Sequence, residues 1–124
     1  MAFEQWAVVV VPFPFTDRRA ERRRPALVVS RPEALGNRVG QCVLAMITSA
    51  AHSAWPLDVP VTDLASAGLP APSLVRMKLF TLDDRLVERQ VGALAAADAH
   101  AAAAAALTQL FGGTPAGDAA HWGT

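Results

Sequence analysis

Arginine dominates the cationic side chains of this sequence, and its placement is the first chemical signal. All but one of the eleven Lys and Arg residues are Arg. Seven of them, Arg18, Arg19, Arg22, Arg23, Arg24, Arg31 and Arg38, fall between positions 18 and 38 against only Glu21 and Glu33. That stretch carries +5 and the remainder −5, behind a formal net charge of zero. A planar guanidinium fork suits bidentate phosphate contact better than an ammonium does, so the indicated chemistry is recognition of a polyanion. Phe13 and Phe15 flank Pro14 next to these arginines. Aromatic faces beside cations suit stacking of unpaired bases; the alternative is that both rings cover one end of the fold. Further along, Thr48 and Ser49 precede His52, two hydroxyls and an imidazole in a short span. Arg76 and Lys78, two residues apart, either contact phosphates or face solvent and keep a strand edge from pairing. Cys42 stands alone in an apolar run, which excludes an internal disulfide framework and a zinc-type Cys cluster and reads as a small core thiol.

These side chains need a scaffold, and the hydrophobic pattern supplies one. Ala7–Val11 is a β-branched run that predicts a buried strand, ended by Pro12-Phe13-Pro14. An extended, Arg-rich loop follows as far as Arg24-Pro25, where 26–29 begins a second buried strand. A turn near Gly36-Asn37 and Gly40 leads to a third strand over 41–47. Trp55-Pro56 opens an alternation of Leu57, Val59 and Val61 with polar residues, a half-exposed strand ahead of a short helical turn at 63–68. Over 73–79 a further alternation puts Leu74, Arg76 and Lys78 on one face and Val75, Met77 and Leu79 on the other. A last strand is predicted over 86–91. From Asp98 the alanine block with Leu107, Leu110 and Phe111 has helical spacing and a Gly112-Gly113 stop.

Strands follow strands without intervening helices, so the pattern predicts a mainly β, barrel-like domain with a C-terminal helix rather than a βαβ fold. At 124 residues the chain is one domain, expected over 1–112, with 113–124 as a flexible tail in which Trp122 can dock locally. No uncharged apolar run approaches the ~20 residues of a membrane span. The start, MAFEQW, lacks the features of a secretory signal, so a cytoplasmic location is expected.

Five segments also line up, in order, with the PemK/MazF family of toxin–antitoxin ribonucleases. They are VVVVPFPFTD at 8–17, RRRPALVVS at 22–30, AMITSA at 45–50, AGLPAPSLVRMKLFTLD at 67–83 and LVERQVGAL at 86–94. From Trp6 to Phe111 the chain resembles this family. The resemblance implies an SH3-like β-barrel of the plasmid-maintenance-toxin type, a homodimer, and cleavage of single-stranded RNA without a metal or other cofactor. It also implies inhibition by a cognate antitoxin with an acidic, disordered segment. Arg24 matches the family's active-site arginine and Thr48 its active-site hydroxyl, with Ser49 beside it. Two departures stand out. Trp6-Ala7 replaces a usual Gly-Asp, removing a carboxylate and, by expectation, the local turn; Lys78 occupies a position where some relatives carry an acidic residue proposed as the base.

Metal-free cleavage makes the ribose 2′-hydroxyl attack phosphorus, so a site must remove one proton, neutralise the phosphorane and protonate the departing 5′-oxygen. Arg24 would clamp the phosphoryl oxygens, since a guanidinium that keeps its proton above pH 12 is a poor base. Thr48 would donate to a non-bridging oxygen. His52 would serve as acid or base, or remain an exposed loop residue. Arg18, Arg19, Arg22, Arg23, Arg31, Ser49, Arg76 and Lys78 are the expected phosphate contacts. A catalytically inactive module that only binds nucleic acid or antitoxin is the first alternative, favoured by Lys78. A gyrase-directed toxin of related fold ranks third, because the Ala-rich helix lacks the recognition features of that group.

Overall fold

The computed structural model describes residues 2–13 and 22–112, with the backbone alone at Phe13 and Arg22. Six strands among them form one antiparallel sheet, curled as a half-barrel: β1 (Ala7–Phe13), β2 (Arg22–Val28), β3 (Gln41–Ser49), β4 (Val59–Pro60), β5 (Ser73–Asp83) and β6 (Arg89–Ala93). Their order across the sheet is β4-β5-β3-β2-β1-β6. Helices are α1 (Asn37–Val39), α2 (Leu64–Ala67) and α3 (Ala96–Phe111). A mainly β fold with a C-terminal helix is therefore what the sequence forms.

The runs at 8–11 and 26–28 lack alternation because both faces of the sheet are covered, as continuous apolar strands require. On one face Val8, Leu27, Ala45, Ile47 and Val75 meet Ala102 and Ala105 of α3. The other buries Ala7, Val9, Val11, Ala26, Val28, Cys42, Leu44 and Met46. Cys42 is the expected core thiol; burial first, then the nearby Asp84 carboxylate, pushes it up to about 12, so it stays protonated. Alanine lets α3 approach closely, and its first turn is tied down by Asp98, only 3% exposed. The Asp98 carboxylate accepts from Thr62 N (3.0 Å), Thr62 Oγ1 (2.6 Å) and Asp63 N (3.0 Å). Burial is the largest influence on Asp98 and raises its pKa, but these three hydrogen bonds together outweigh it and hold the carboxyl below its ordinary value. Asp98→Ala is expected to cost about 2–4 kcal/mol by orphaning those donors, read as a lower urea midpoint with an unchanged slope. Because the folded pKa is depressed, this contribution is present above the ordinary aspartate value and disappears as pH falls through the folded one.

The structure corrects several boundaries. β1 runs on through Pro12 to Phe13, and β2 begins at Arg22, so the arginines at 22–24 lie on a strand opposite Phe13, Pro12 and Val11 instead of in the loop. β6 pairs with β1 only as far as Val10, and β3 with β2 only from Ala26. Pro12 and Pro25 thus sit where their strands have a neighbour on one side, the position at which a missing N–H is tolerated. The segment 32–39 is helical rather than a simple turn: a π-turn over Pro32–Gly36 leads into α1. β4 keeps two residues of the strand predicted over 57–61, and 84–86 forms a 3-10 turn before β6.

The turn ahead of β1 is kept despite the missing glycine. Ala7 N donates to Glu4 O at 3.2 Å, and Trp6 takes the left-handed conformation at φ 74°. A bulky residue there costs about 1–2 kcal/mol; the strain is held by Trp6 N to Val28 O at 2.7 Å and Leu94 N to Trp6 O at 3.0 Å. On the α3 face of the sheet, where Ala67 joins the core, α2 packs so tightly on β6 that a Cβ at Gly92 would meet Ser66 O at 2.5 Å.

Candidate active site

Strand alternation sorts the arginines of β2. Arg23 turns outward, where its Nε lies 2.6 Å from a Glu88 carboxylate oxygen. Its neighbour Arg24 turns to the opposite face and lines a cavity of about 270 Å³. The end of β3 brings Thr48 and Ser49 to the same cavity, and the loop after it brings His52. Leu69, Pro70, Ala71 and Pro72 form the remaining wall, rigid because two of the four are proline. Ala50 N donates to Pro72 O at 3.0 Å and so ties the β3 exit to that wall.

Thr48 is 5% exposed, and its Oγ1 lies 2.7 Å from His52 Nδ1. Either the hydroxyl donates to a neutral Nδ1, or an Nδ1–H donates to the hydroxyl and frees its proton for another acceptor. In both cases Nε2 is the ring nitrogen left for substrate. His52 N donates to Ser49 O at 3.1 Å, and Ala51 N to Ser49 Oγ at 3.1 Å, so the turn that presents the imidazole is fixed by its own hydrogen bonds. A guanidinium, a buried hydroxyl and an imidazole thus converge on one opening.

Other sequence candidates lie elsewhere. Arg31 is exposed and donates to Glu33 at 2.9 Å, while Arg38 Nε donates to Glu33 O at 3.2 Å; neither lines the cavity. Lys78 is half-buried at an irregularity where Ala45 opposes Leu79 but Met46 opposes Arg76. Arg18, Arg19 and Phe15 lie outside the described residues, as do the side chains of Phe13 and Arg22 and the tail 113–124.

Arg76 departs most from the sequence reading. It is neither a solvent-facing strand residue nor open to phosphate: with side chains 9% and 7% exposed, it and Asp58 form a buried ion pair. Arg76 Nε donates to Asp58 Oδ1 at 3.2 Å, and Nη2 donates to Oδ2 at 2.9 Å and to Ser53 O at 2.7 Å. Hydrogen bonds from Arg76, against the opposing effect of burial, hold the Asp58 carboxyl below its usual range. The Trp55 ring covers the guanidinium at 4.7 Å. Sequence reasoning missed Asp58 and Trp55 as partners of Arg76, because alternation gives a residue's face and says nothing about which loop folds over it.

A second groove, about 330 Å³, runs beside α3 and is lined by Trp6, Val29, Val43, Leu79, Leu110 and Phe111 among others. Among the described residues it is lined by no acid, base or nucleophile.

The family model described as PemK-like, MazF-like toxin of type II toxin-antitoxin system matches residues 4–111. The chain belongs to this family. Among solved structures, the Mycobacterium tuberculosis toxin MazF-mt6 is similar at 25% identity with a TM-score of 0.65, over 82% of this chain and 93% of that one. A MazE-MazF structure from Deinococcus radiodurans gives a TM-score of 0.70 at 22% identity, over 92% of this chain and 100% of that one. An endoribonuclease in complex with its cognate antitoxin from a mycobacterial species gives 0.69 at 17% identity, over 88% and 95%. No curated protein matches the chain. Membership in the MazF-like family accords with the half-barrel and terminal helix, and no described helix is long and apolar enough to cross a membrane.

Proposed function

We propose that this MazF-like chain is the toxin of a type II toxin–antitoxin pair and a metal-independent endoribonuclease acting on single-stranded RNA. The observation that carries this reading is the convergence of Arg24, Thr48 and His52 on one cavity, with Thr48 Oγ1 2.7 Å from the imidazole. The ribose 2′-oxygen attacks phosphorus as the bond to the 5′-oxygen breaks, giving a 2′,3′-cyclic phosphate and a 5′-hydroxyl end. Arg24 binds the non-bridging oxygens as negative charge accumulates, and Thr48 donates to one of them. His52, with Nδ1 occupied by Thr48, exchanges the proton through Nε2, taking it from the 2′-hydroxyl or giving it to the 5′-oxygen. Incubating the protein with a long single-stranded RNA in EDTA and mapping the fragment ends tests this. Cyclic-phosphate ends in EDTA support it; binding without cutting supports the second reading, a catalytically silent module. That reading is favoured by Lys78, and by the lack of a carboxylate among the described residues that line the cavity.

The partner is an antitoxin whose acidic segment settles on the Arg-rich stretch and competes with RNA, since one patch of guanidinium groups serves either polyanion. The MazE-MazF complex of similar fold supports a protein partner of this kind, and the working toxin is a cytoplasmic homodimer. Counterion release makes RNA binding steeply salt-dependent, with a slope near −0.7 per neutralised phosphate on a single strand. Mutating Arg18, Arg19 and Arg22 together is expected to flatten that slope by about two units and to weaken antitoxin binding as well. If RNA affinity falls while antitoxin affinity keeps its wild-type value and salt dependence, the two partners use different surfaces.

A further inference from the structure

Trp55 is 46% exposed, beside an otherwise buried ion pair. Its loop is held unusually firmly. Trp55 N donates to Asp58 Oδ2 at 2.8 Å, and Asp58 N donates back to Trp55 O at 3.3 Å, closing a four-residue turn with Pro56 second and Leu57 third. Leu57 is left-handed at φ 68°, a conformation that the third position of a type II turn normally gives to glycine. The strained turn persists because Arg76 grips both sides of it, through Ser53 O and through Asp58. An exposed indole on a mobile loop would need no such support.

Its location follows from the register. Arg76 lies opposite Met46 and Leu74 opposite Thr48 on antiparallel strands, so Arg76 and Thr48 are diagonal neighbours on one face. That diagonal spans about 7–8 Å. The Trp55 ring thus lies 4.7 Å from the guanidinium of the diagonal strand neighbour of Thr48. His52, three residues before Trp55 in the same loop, reaches back to that hydroxyl.

We propose that Trp55 is a stacking platform for one unpaired nucleobase of the RNA, next to the phosphate that is cut; this rests on the ribonuclease reading above. Arg76 lies over one face of the indole, and the side chain's 46% exposure leaves surface for a base. Because every base has a π-face, the platform adds affinity and register rather than base identity. Arg76 is then a positioning residue, not a phosphate contact: it fixes Trp55 and the loop that carries His52.

The test measures binding of short single-stranded oligoribonucleotides made uncleavable by 2′-O-methylation, against a series carrying one abasic site at each position. Trp55→Ala is expected to weaken binding about 5- to 150-fold, the equivalent of the 1–3 kcal/mol of one base–aromatic stack. Trp55→Phe should recover most of the affinity, and Trp55→Leu, which keeps apolar bulk without a π-face, should not. The penalty of Trp55→Ala should vanish on the one oligonucleotide whose abasic site faces the ring. RNA should also quench wild-type tryptophan emission more than that of Trp55→Phe. Unchanged affinity in Trp55→Leu, or an equal penalty across every abasic position, overturns the platform. If wild type binds none of these oligonucleotides and cuts no RNA, the ribonuclease reading falls and takes the platform with it. If wild type binds and cuts while the Trp55 variants match it, only the platform falls.

Discussion

Arg24→Ala is expected to slow RNA cleavage by about a thousandfold or more, since removing a single preorganised donor typically costs a hundredfold to a thousandfold and the guanidinium fork supplies two. The fold should survive, because the side chain lines an open cavity and does not belong to either apolar cluster. Arg24→Lys keeps the charge but loses the fork, so it should recover only part of the rate. Single-turnover cleavage alongside circular dichroism separates the two effects. Wild-type cleavage by folded Arg24→Ala would remove Arg24 from the mechanism. Thr48→Val preserves shape while deleting the hydroxyl, and a loss of roughly tenfold to a thousandfold is expected; an unchanged rate would reduce Thr48 to a structural partner of His52.

The largest effect on stability is expected at Arg76. Arg76→Ala leaves the Asp58 carboxylate buried without its partner, a change that costs about 3–5 kcal/mol in such sites. Replacing both members, as Arg76→Met with Asp58→Leu, should cost less than Arg76→Ala alone, because no charge is then stranded. The pH dependence has a definite sign. Arg76 depresses the folded pKa of Asp58, so in wild type its contribution is complete above the unfolded value of about 3.9 and is lost as pH falls through the folded one. In Arg76→Ala burial favours the neutral acid, so acid relieves the variant and the gap from wild type narrows. Urea midpoints for both proteins between neutral pH and pH 3 report this directly; a gap independent of pH would mean that the pair contributes packing and not charge.

Much of the scaffold is legible in the sequence, for reasons visible at particular residues. Val8 to Val11 announces a strand covered on both faces, and Val75, Met77 and Leu79 fall on the α3 side of the sheet as alternation predicts. The Ala block declares a helix that approaches closely, and Gly112 ends it in the left-handed conformation at φ 72°. Proline misleads around the arginines. Pro12 and Pro25 suggest a long loop, yet one-sided strand positions admit both, and the resulting alternation is what separates Arg24 from Arg23. The contacts least visible in sequence are those made between loop and sheet. Asp58 meets Arg76 across 18 positions, and only the fold brings them together. His52 meets Thr48 across four, but on a turn whose hydrogen bonds no periodicity encodes.

In the proposed reaction the substrate's own 2′-hydroxyl is the nucleophile, activated in a cavity built by Arg24, Thr48 and His52. Once a cut site is mapped, the most direct measurement compares that RNA with one identical except for hydrogen in place of the 2′-hydroxyl on the nucleotide 5′ to the cut. The deoxy-substituted RNA should bind with wild-type affinity and remain intact at that position while the all-ribose control is cleaved. Cleavage of the deoxy-substituted strand at the same bond would rule out the 2′-hydroxyl as the nucleophile.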